Sequence, residues 1–157
     1  MNQEREIFSV AMFTFGLNSF SGAAFQARLL ATYISGGRVV ILDYSDNNNL
    51  IYPSRARLAE GLDVVYLPKF LPLRFIFSWV EVARRGVKIF HLHGFVKSAL
   101  ILGSLLGKKI ILKTTMLGGD DFSTQMTYKF PAIRKYLIGN VDVNIALTKK
   151  IRDKNSI

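Results

Sequence analysis

The chain has no cysteine, which excludes a disulfide framework and a thiolate metal site and points toward the cytoplasm. Acidic residues are scarce, 11 Asp and Glu against 21 Lys and Arg. The shortage is uneven: residues 1–68 hold 5 basic and 6 acidic groups, residues 69–157 hold 16 and 5, so the second half carries the whole net charge of +10. Such asymmetry favours a polyanionic neighbour, which charge alone leaves open among nucleic acid, an anionic membrane and a phosphate-bearing substrate. No nucleic-acid-binding motif accompanies the charge, so no nucleic-acid partner is expected. Long apolar runs are also missing, because Arg74, Glu81 and Lys97 interrupt the stretches well short of the ~20 residues that span a bilayer. The start, Met1-Asn2-Gln3-Glu4-Arg5-Glu6, lacks the cationic-then-apolar order of a secretion signal. With 157 residues and 50% of them apolar, one domain over 1–157 with a proper core is expected.

What is present is an alternation of β-rich runs and helical patterns. Strands are expected at Ile7 to Thr14, Arg38 to Leu42, Val64 to Leu67, Lys88 to His91, Lys109 to Lys113 and Val141 to Leu147. Helical patterns fall at Ala23 to Ile34, Leu73 to Arg85, Val96 to Leu106 and Tyr128 to Leu137. This rhythm predicts an α/β fold, a Rossmann-like parallel sheet with helices on both faces. Runs such as Val39-Val40-Ile41-Leu42 and Ile110-Ile111-Leu112 do not alternate, as suits strands covered on both sides. Ser21 is placed to cap the first helix and Gly36-Gly37 to close it; Pro72 suits a first turn, and Gly86 and Gly107 suit helix ends.

Phe15-Gly16-Leu17-Asn18-Ser19-Phe20-Ser21-Gly22 joins the first strand to the first helix, where α/β folds hold phosphates. Glycines there let backbone approach a ligand, and free N–H groups with the positive end of a helix favour an anion, so Gly16, Ser21 and Gly22 are the candidate phosphate binders. The spacing matches neither the dinucleotide fingerprint nor a Walker A loop. Asp43 could bind a ribose as in nicotinamide enzymes, but the glycine pattern argues against that.

His91 and His93 fall two apart and share one face of their strand, which ends at Gly94. Ligands of open α/β sheets bind beyond the carboxyl ends of the strands, so His93 is the better candidate to hydrogen-bond a sugar or phosphate. A satisfied structural histidine is the plain alternative. No third ligand lies near, so no metal is expected. After the next strand, Thr114-Thr115-Met116-Leu117-Gly118-Gly119-Asp120-Asp121 puts two glycines and two carboxylates at another strand end. Asp120 and Asp121 are candidates to accept hydrogen bonds from substrate hydroxyls or act as a base, with turn chemistry as the alternative account.

In Leu73 to Arg85, the residues Arg74, Ser78, Glu81 and Arg85 form one narrow polar stripe, and aromatic and aliphatic residues cover the rest. A surface helix needs an apolar arc of only about 100°, so the surplus needs a second partner. With Lys69 and Lys88 nearby, Arg74, Phe75, Trp79, Arg84 and Arg85 are the candidate contacts to an anionic membrane surface. Cover by loops or another domain is the competing account.

Taken in order, these segments resemble the N-terminal domain of family-4 retaining glycosyltransferases of the GT-B fold. The match rests on Ser21-Gly22-Ala23-Ala24, Gly36-Gly37-Arg38-Val39-Val40, His91-Leu92-His93-Gly94, the Thr114 to Asp121 loop, and Val141-Asp142-Val143-Asn144-Ile145-Ala146-Leu147-Thr148. The resemblance implies half of a GT-B fold. It also implies a nucleotide-sugar as substrate with no further cofactor, its phosphate near Ser21-Gly22, and a glycan or glycolipid acceptor near His93 and Asp120-Asp121. Met116 stands where many members carry a histidine, and none of Glu4, Glu6, Glu60 and Glu81 matches the paired glutamates of the C-terminal, donor-binding domain. A truncated or split enzyme is therefore expected, inactive without a separate donor-binding half and peripheral on the inner face of the membrane. A non-catalytic binding or regulatory remnant is the alternative, with a nucleic-acid binder, which would explain the charge but not the strand-end histidines, ranked below it.

Overall fold

The computed structural model describes residues 9–17, 22–34, 38–44, 51–59 and 62–156. The expectations for Ser21, Gly36-Gly37 and the N-terminus lie outside the described residues. The elements run β1 (Ser9–Thr14), α1 (Gly22–Tyr33), β2 (Arg38–Asp43), β3 (Ser54–Ala59), β4 (Leu62–Tyr66), α2 (Leu71–Arg84), β5 (Ile89–His93), α3 (Lys97–Leu105), β6 (Lys109–Thr114), α4 (Phe122–Gln125), α5 (Pro131–Gly139), β7 (Val143–Ala146) and α6 (Lys149–Asn155).

They build a seven-stranded sheet in the order β3-β4-β2-β1-β5-β6-β7. All neighbours pair in parallel except β3, which runs antiparallel to β4 at one rim. The fold is thus the expected α/β sheet with one strand added. That strand, Ser54-Arg55-Ala56-Arg57-Leu58-Ala59, carries no β-branched residue and takes its pairing from β4.

In-register partners of parallel strands point to the same side, so the pairing sorts the core. Ala11, Phe13, Val40, Leu42, Phe90, Leu92, Ile110 and Leu112 face one side, with Val82 of α2, Ala99 and Leu100 of α3 and Leu137 of α5. Val10, Met12, Val39, Ile41 and Val64 face the other, against Ala24 and Ala31 of α1. Small residues on α1 let it lie close to the sheet. Burial of both faces explains the unbroken apolar runs of β1 and β2. Toward β7 the α1 side is open: Val143 and Ile145 are 48% and 40% exposed.

Helix ends follow the sequence signals. Pro72 sits in the first turn of α2, and Gly86 and Gly107, just past α2 and α3, take φ of 58° and 57°, the left-handed region that closes a helix at low steric cost to glycine. Among the described residues no helix is long and apolar enough to cross a membrane.

The structure corrects the reading of α2. Its polar stripe faces inward: Arg74, Ser78 and Glu81 are all buried, Arg74 to 6% exposure. Arg74 Nε donates to the Pro68 carbonyl at 2.9 Å, and its guanidinium lies 5.2 Å from the Tyr44 ring centre. The Tyr44 hydroxyl and Ser78 Oγ are 2.7 Å apart. Glu81, 1% exposed, accepts from Arg55 of β3 at 2.6 Å, Arg84 at 2.9 Å and Arg85 at 3.1 Å. Burial opposes its charge, yet these three hydrogen-bonded guanidiniums hold its carboxyl below the usual range. Arg85 also donates to Asp63 of β4 at 2.6 Å. Arg74 and Arg85 are therefore tied into the protein rather than facing a membrane, because Tyr44, Pro68, β3 and β4 supply partners on the inner side. Phe75 packs partly buried on the core, while Trp79 and Arg84 are exposed.

Candidate functional site

At the carboxyl ends of β1, β5 and β6 the sheet opens into a cavity of about 680 Å³. Parallel strands place their carboxyl ends on one edge, and the first turn of α1 leans over the same edge. One wall is Gly22, Ala23 and Gln26 of α1 with Phe15; the floor is His93 and Gly94 with Phe95; the far wall is Thr115, Met116, Gly119 and Asp120. Gln125, Tyr128 and Leu147 complete it. Gly22, His93 and Asp120, remote in sequence, thus meet at one cavity.

His93 is 2% exposed, and neither ring nitrogen has a hydrogen-bond partner among the described residues. His91 lies on the same face, as the two-residue period requires, with its ring centre 4.5 Å from that of His93 and its Nε2 also without a partner. Burial, then the charge of Lys113, lowers His91 to about 4. Burial, then His91 and Lys113, lowers His93 to about 3. Both rings are neutral at pH 7. A neutral imidazole offers one donor and one acceptor. Gln26 Oε1 on α1 and Thr14 Oγ1 at the end of β1 are also buried without partners among the described residues. Buried polar atoms are nearly always hydrogen-bonded, so those of His93 and Gln26, which line the cavity, mark a place for polar ligand atoms or water.

The two carboxylates divide their work. Asp120 lines the cavity, but it also accepts from the Thr115 N–H at 2.9 Å, the Thr115 hydroxyl at 3.0 Å and the Met116 N–H at 2.7 Å, which folds the loop back on itself. Asp121 does not line the cavity. It caps α4, accepting from the N–H groups of Thr124 at 3.0 Å and Gly118 at 2.6 Å. Burial opposes the Asp121 charge, but those bonds and the Thr124 and Ser123 hydroxyls outweigh it and hold the carboxyl low. The turn account thus fits Asp121, and the ligand-facing account fits only Asp120. Gly16, with φ of 64°, turns the chain out of β1 but is not part of the cavity wall. Asp43 is buried, accepts from the Leu17 N–H at 3.2 Å and also lies away from the cavity.

Sequence reasoning missed Gln26, Gln125 and Tyr128. Gln26 is one helical turn beyond Gly22, so the i, i+4 period would have found it. Gln125 and Tyr128 are placed by α4 and by Arg134 of α5, whose guanidinium donates to Gln125 Oε1 and lies 4.9 Å from the Tyr128 ring centre. No local pattern announces that brace. Among the described residues no cluster of side chains suits a metal ion.

No protein-family model and no curated protein matches the sequence. Solved structures do match the fold. A sucrose-phosphate synthase from Thermosynechococcus elongatus superposes with a TM-score of 0.62 over 87% of this chain at 14% identity. A protein described as a candidate UDP-N-acetylglucosamine 2-epimerase from Listeria monocytogenes gives 0.59 over 95% at 11% identity. The fold is Rossmann-like, of the GT-B kind. The chain spans 41% and 42% of the lengths of those two proteins.

Proposed function

We propose that the chain is the acceptor-side domain of a glycosyltransferase, acting in the transfer of a sugar from a nucleotide-sugar to a polysaccharide or lipid-linked acceptor. Turnover then needs a donor-binding half, supplied by another polypeptide or segment. The observation that carries this reading is His93, neutral and buried with neither ring nitrogen hydrogen-bonded among the described residues, at the floor of a strand-end cavity that also holds Gly22 and Asp120. Likeness of fold to proteins whose names denote a sugar-phosphate synthase and a nucleotide-sugar epimerase supports it at the level of architecture.

In this reading the donor phosphate approaches the N–H groups at the start of α1 near Gly22. His93 orients a sugar hydroxyl by a hydrogen bond. It does not take up the proton, because a ring held at about 3 is too weak a base at neutral pH. Asp120 accepts from a second hydroxyl on the opposite wall. Transfer breaks the bond between the anomeric carbon and the donor phosphate oxygen and forms the bond to the acceptor oxygen, whose proton leaves with the phosphate.

The test has two stages. Titration with a panel of nucleotide-sugars and glycans, followed by NMR, is expected to shift the Gly22 amide and the His93 ring. Transfer is expected only when a donor-binding half is added, and is expected to fall at least tenfold in His93→Gln. Absence of any shift at these residues with every compound refutes the reading. Binding that never leads to transfer, whatever half is supplied, leaves a binding module instead.

A further inference from the structure

Although the chain carries a net charge of +10, no Lys or Arg among the described residues lines the strand-end cavity. The carboxylate on its wall is Asp120, and Gln26, His93, Thr115 and Gln125 bring polar groups that carry no charge at pH 7. Asp120 Oδ2 already accepts from the Thr115 N–H and hydroxyl, and Oδ1 from the Met116 N–H, which leaves Oδ1 a lone pair for one more donor. The charge of Lys113 reaches His93, but its side chain does not line the cavity. An anionic ligand group at this wall would meet like charge at a desolvated place with no lining cation to offset it.

The cavity also has an aromatic side, Phe95 and Tyr128, and both rings are braced by one residue from outside. Arg134 of α5 places its guanidinium 5.8 Å from the Phe95 ring centre and 4.9 Å from that of Tyr128. The same group donates from Nε to the Lys129 carbonyl at 3.2 Å and from Nη1 to Gln125 Oε1. Gln125, 6% exposed, extends the link, its Nε2 donating to the Gly119 carbonyl beside Asp120. A rigid planar fork is suited to holding two ring faces and an amide at once. Arg134 thus orders one whole side of a cavity that it does not itself line.

We propose that this cavity takes an uncharged pyranose, with the apolar C–H face of the sugar on Phe95 and Tyr128, its hydroxyls on His93 and Asp120, and Arg134 as the residue that positions the aromatic side. Ring faces supply apolar cover and a few neutral polar groups supply direction, the make-up of a pocket for a hydroxyl-rich neutral ring. Uronic acids and sugar phosphates are disfavoured, and the anion of a donor is left to the start of α1. That the bound sugar is the acceptor of a transfer rests on the reading given above.

The protein is titrated with the methyl pyranosides of glucose, galactose, mannose and N-acetylglucosamine, and with glucuronate, galacturonate and glucose 6-phosphate, followed by NMR. At least one neutral pyranoside is expected to shift the His93 ring and to take up saturation from the Tyr128 ring, binding about tenfold or more tighter than the charged sugars. Tyr128→Leu and Arg134→Met each weaken that sugar about tenfold, with circular dichroism and the response of the Gly22 amide to nucleotide-sugars unchanged. Charged sugars bound as tightly as neutral ones, no binding by any sugar, or an Arg134→Met loss that extends equally to the Gly22 response overturns the proposal. Sugar binding at His93 with no response at Gly22 to any nucleotide-sugar removes the transfer reading and leaves the neutral-sugar cavity standing.

Discussion

Acid should destabilise this protein well before its carboxylates titrate. His91 and His93 have an ordinary value of 6.5, lowered to about 4 and about 3 in the folded chain by burial and by neighbouring charge. A folded value below the unfolded one means that the unfolded state binds protons first. The stability tied to these rings is complete above about pH 6.5 and is lost as pH falls toward 4. Between pH 6 and pH 5 the unfolded chain holds nearly two more protons than the folded one, so stability falls by about 2 kcal/mol per pH unit. From pH 7 to pH 5 the loss reaches about 4 kcal/mol, a large share of the ~5–15 kcal/mol that holds a typical domain together. Urea midpoints, read by circular dichroism at half-unit pH steps, measure it. The chain has only 2 histidines and no cysteine, so little else titrates in that window. His93→Gln should halve the slope. A wild-type slope below about 0.5 kcal/mol per pH unit, or one unchanged in His93→Gln, would refute the claim that the two rings are buried and neutral.

Two further outcomes concern packing. Glu81→Gln leaves Arg55 and Arg84 without their anion and Arg85 with Asp63 alone, and denaturant unfolding should show a loss of about 2 kcal/mol. That is less than a fully buried pair would cost, because Arg55 and Arg84 are half in water. The Glu81 contribution is present above the usual carboxylate range and disappears as pH drops through its lowered value, so wild type and Glu81→Gln should converge in strong acid. Gly103→Ala brings a methyl carbon to 2.9 Å from Ile110 Cδ1 and 3.0 Å from Phe90 Cδ2, and a thermal melt should register overpacking of about 1–2 kcal/mol.

The sheet was legible because runs such as Val39 to Leu42 can be accommodated only where both faces are covered. Strand β3 was not, since Arg55 and Arg57 alternate with alanine and leucine in a pattern that becomes a strand only beside β4. For α2, spacing revealed a polar stripe but not its direction. That is decided by Tyr44, Arg55 and Asp63, which lie 34, 26 and 22 residues from their partners Ser78, Glu81 and Arg85. At the site, the strand-end rule found His93 and Asp120. The same rule over-reached at Asp121, whose oxygens are taken up by α4.

The two rims of the sheet differ in how they meet other molecules. Along β3 the guanidinium groups of Arg55 and Arg57 stand guard, and like charges on an incoming strand repel. Strand β7, Val143-Asn144-Ile145-Ala146, has no charge and leaves Val143 and Ile145 in water. The β7 rim thus sets less charge against an added strand than the β3 rim does.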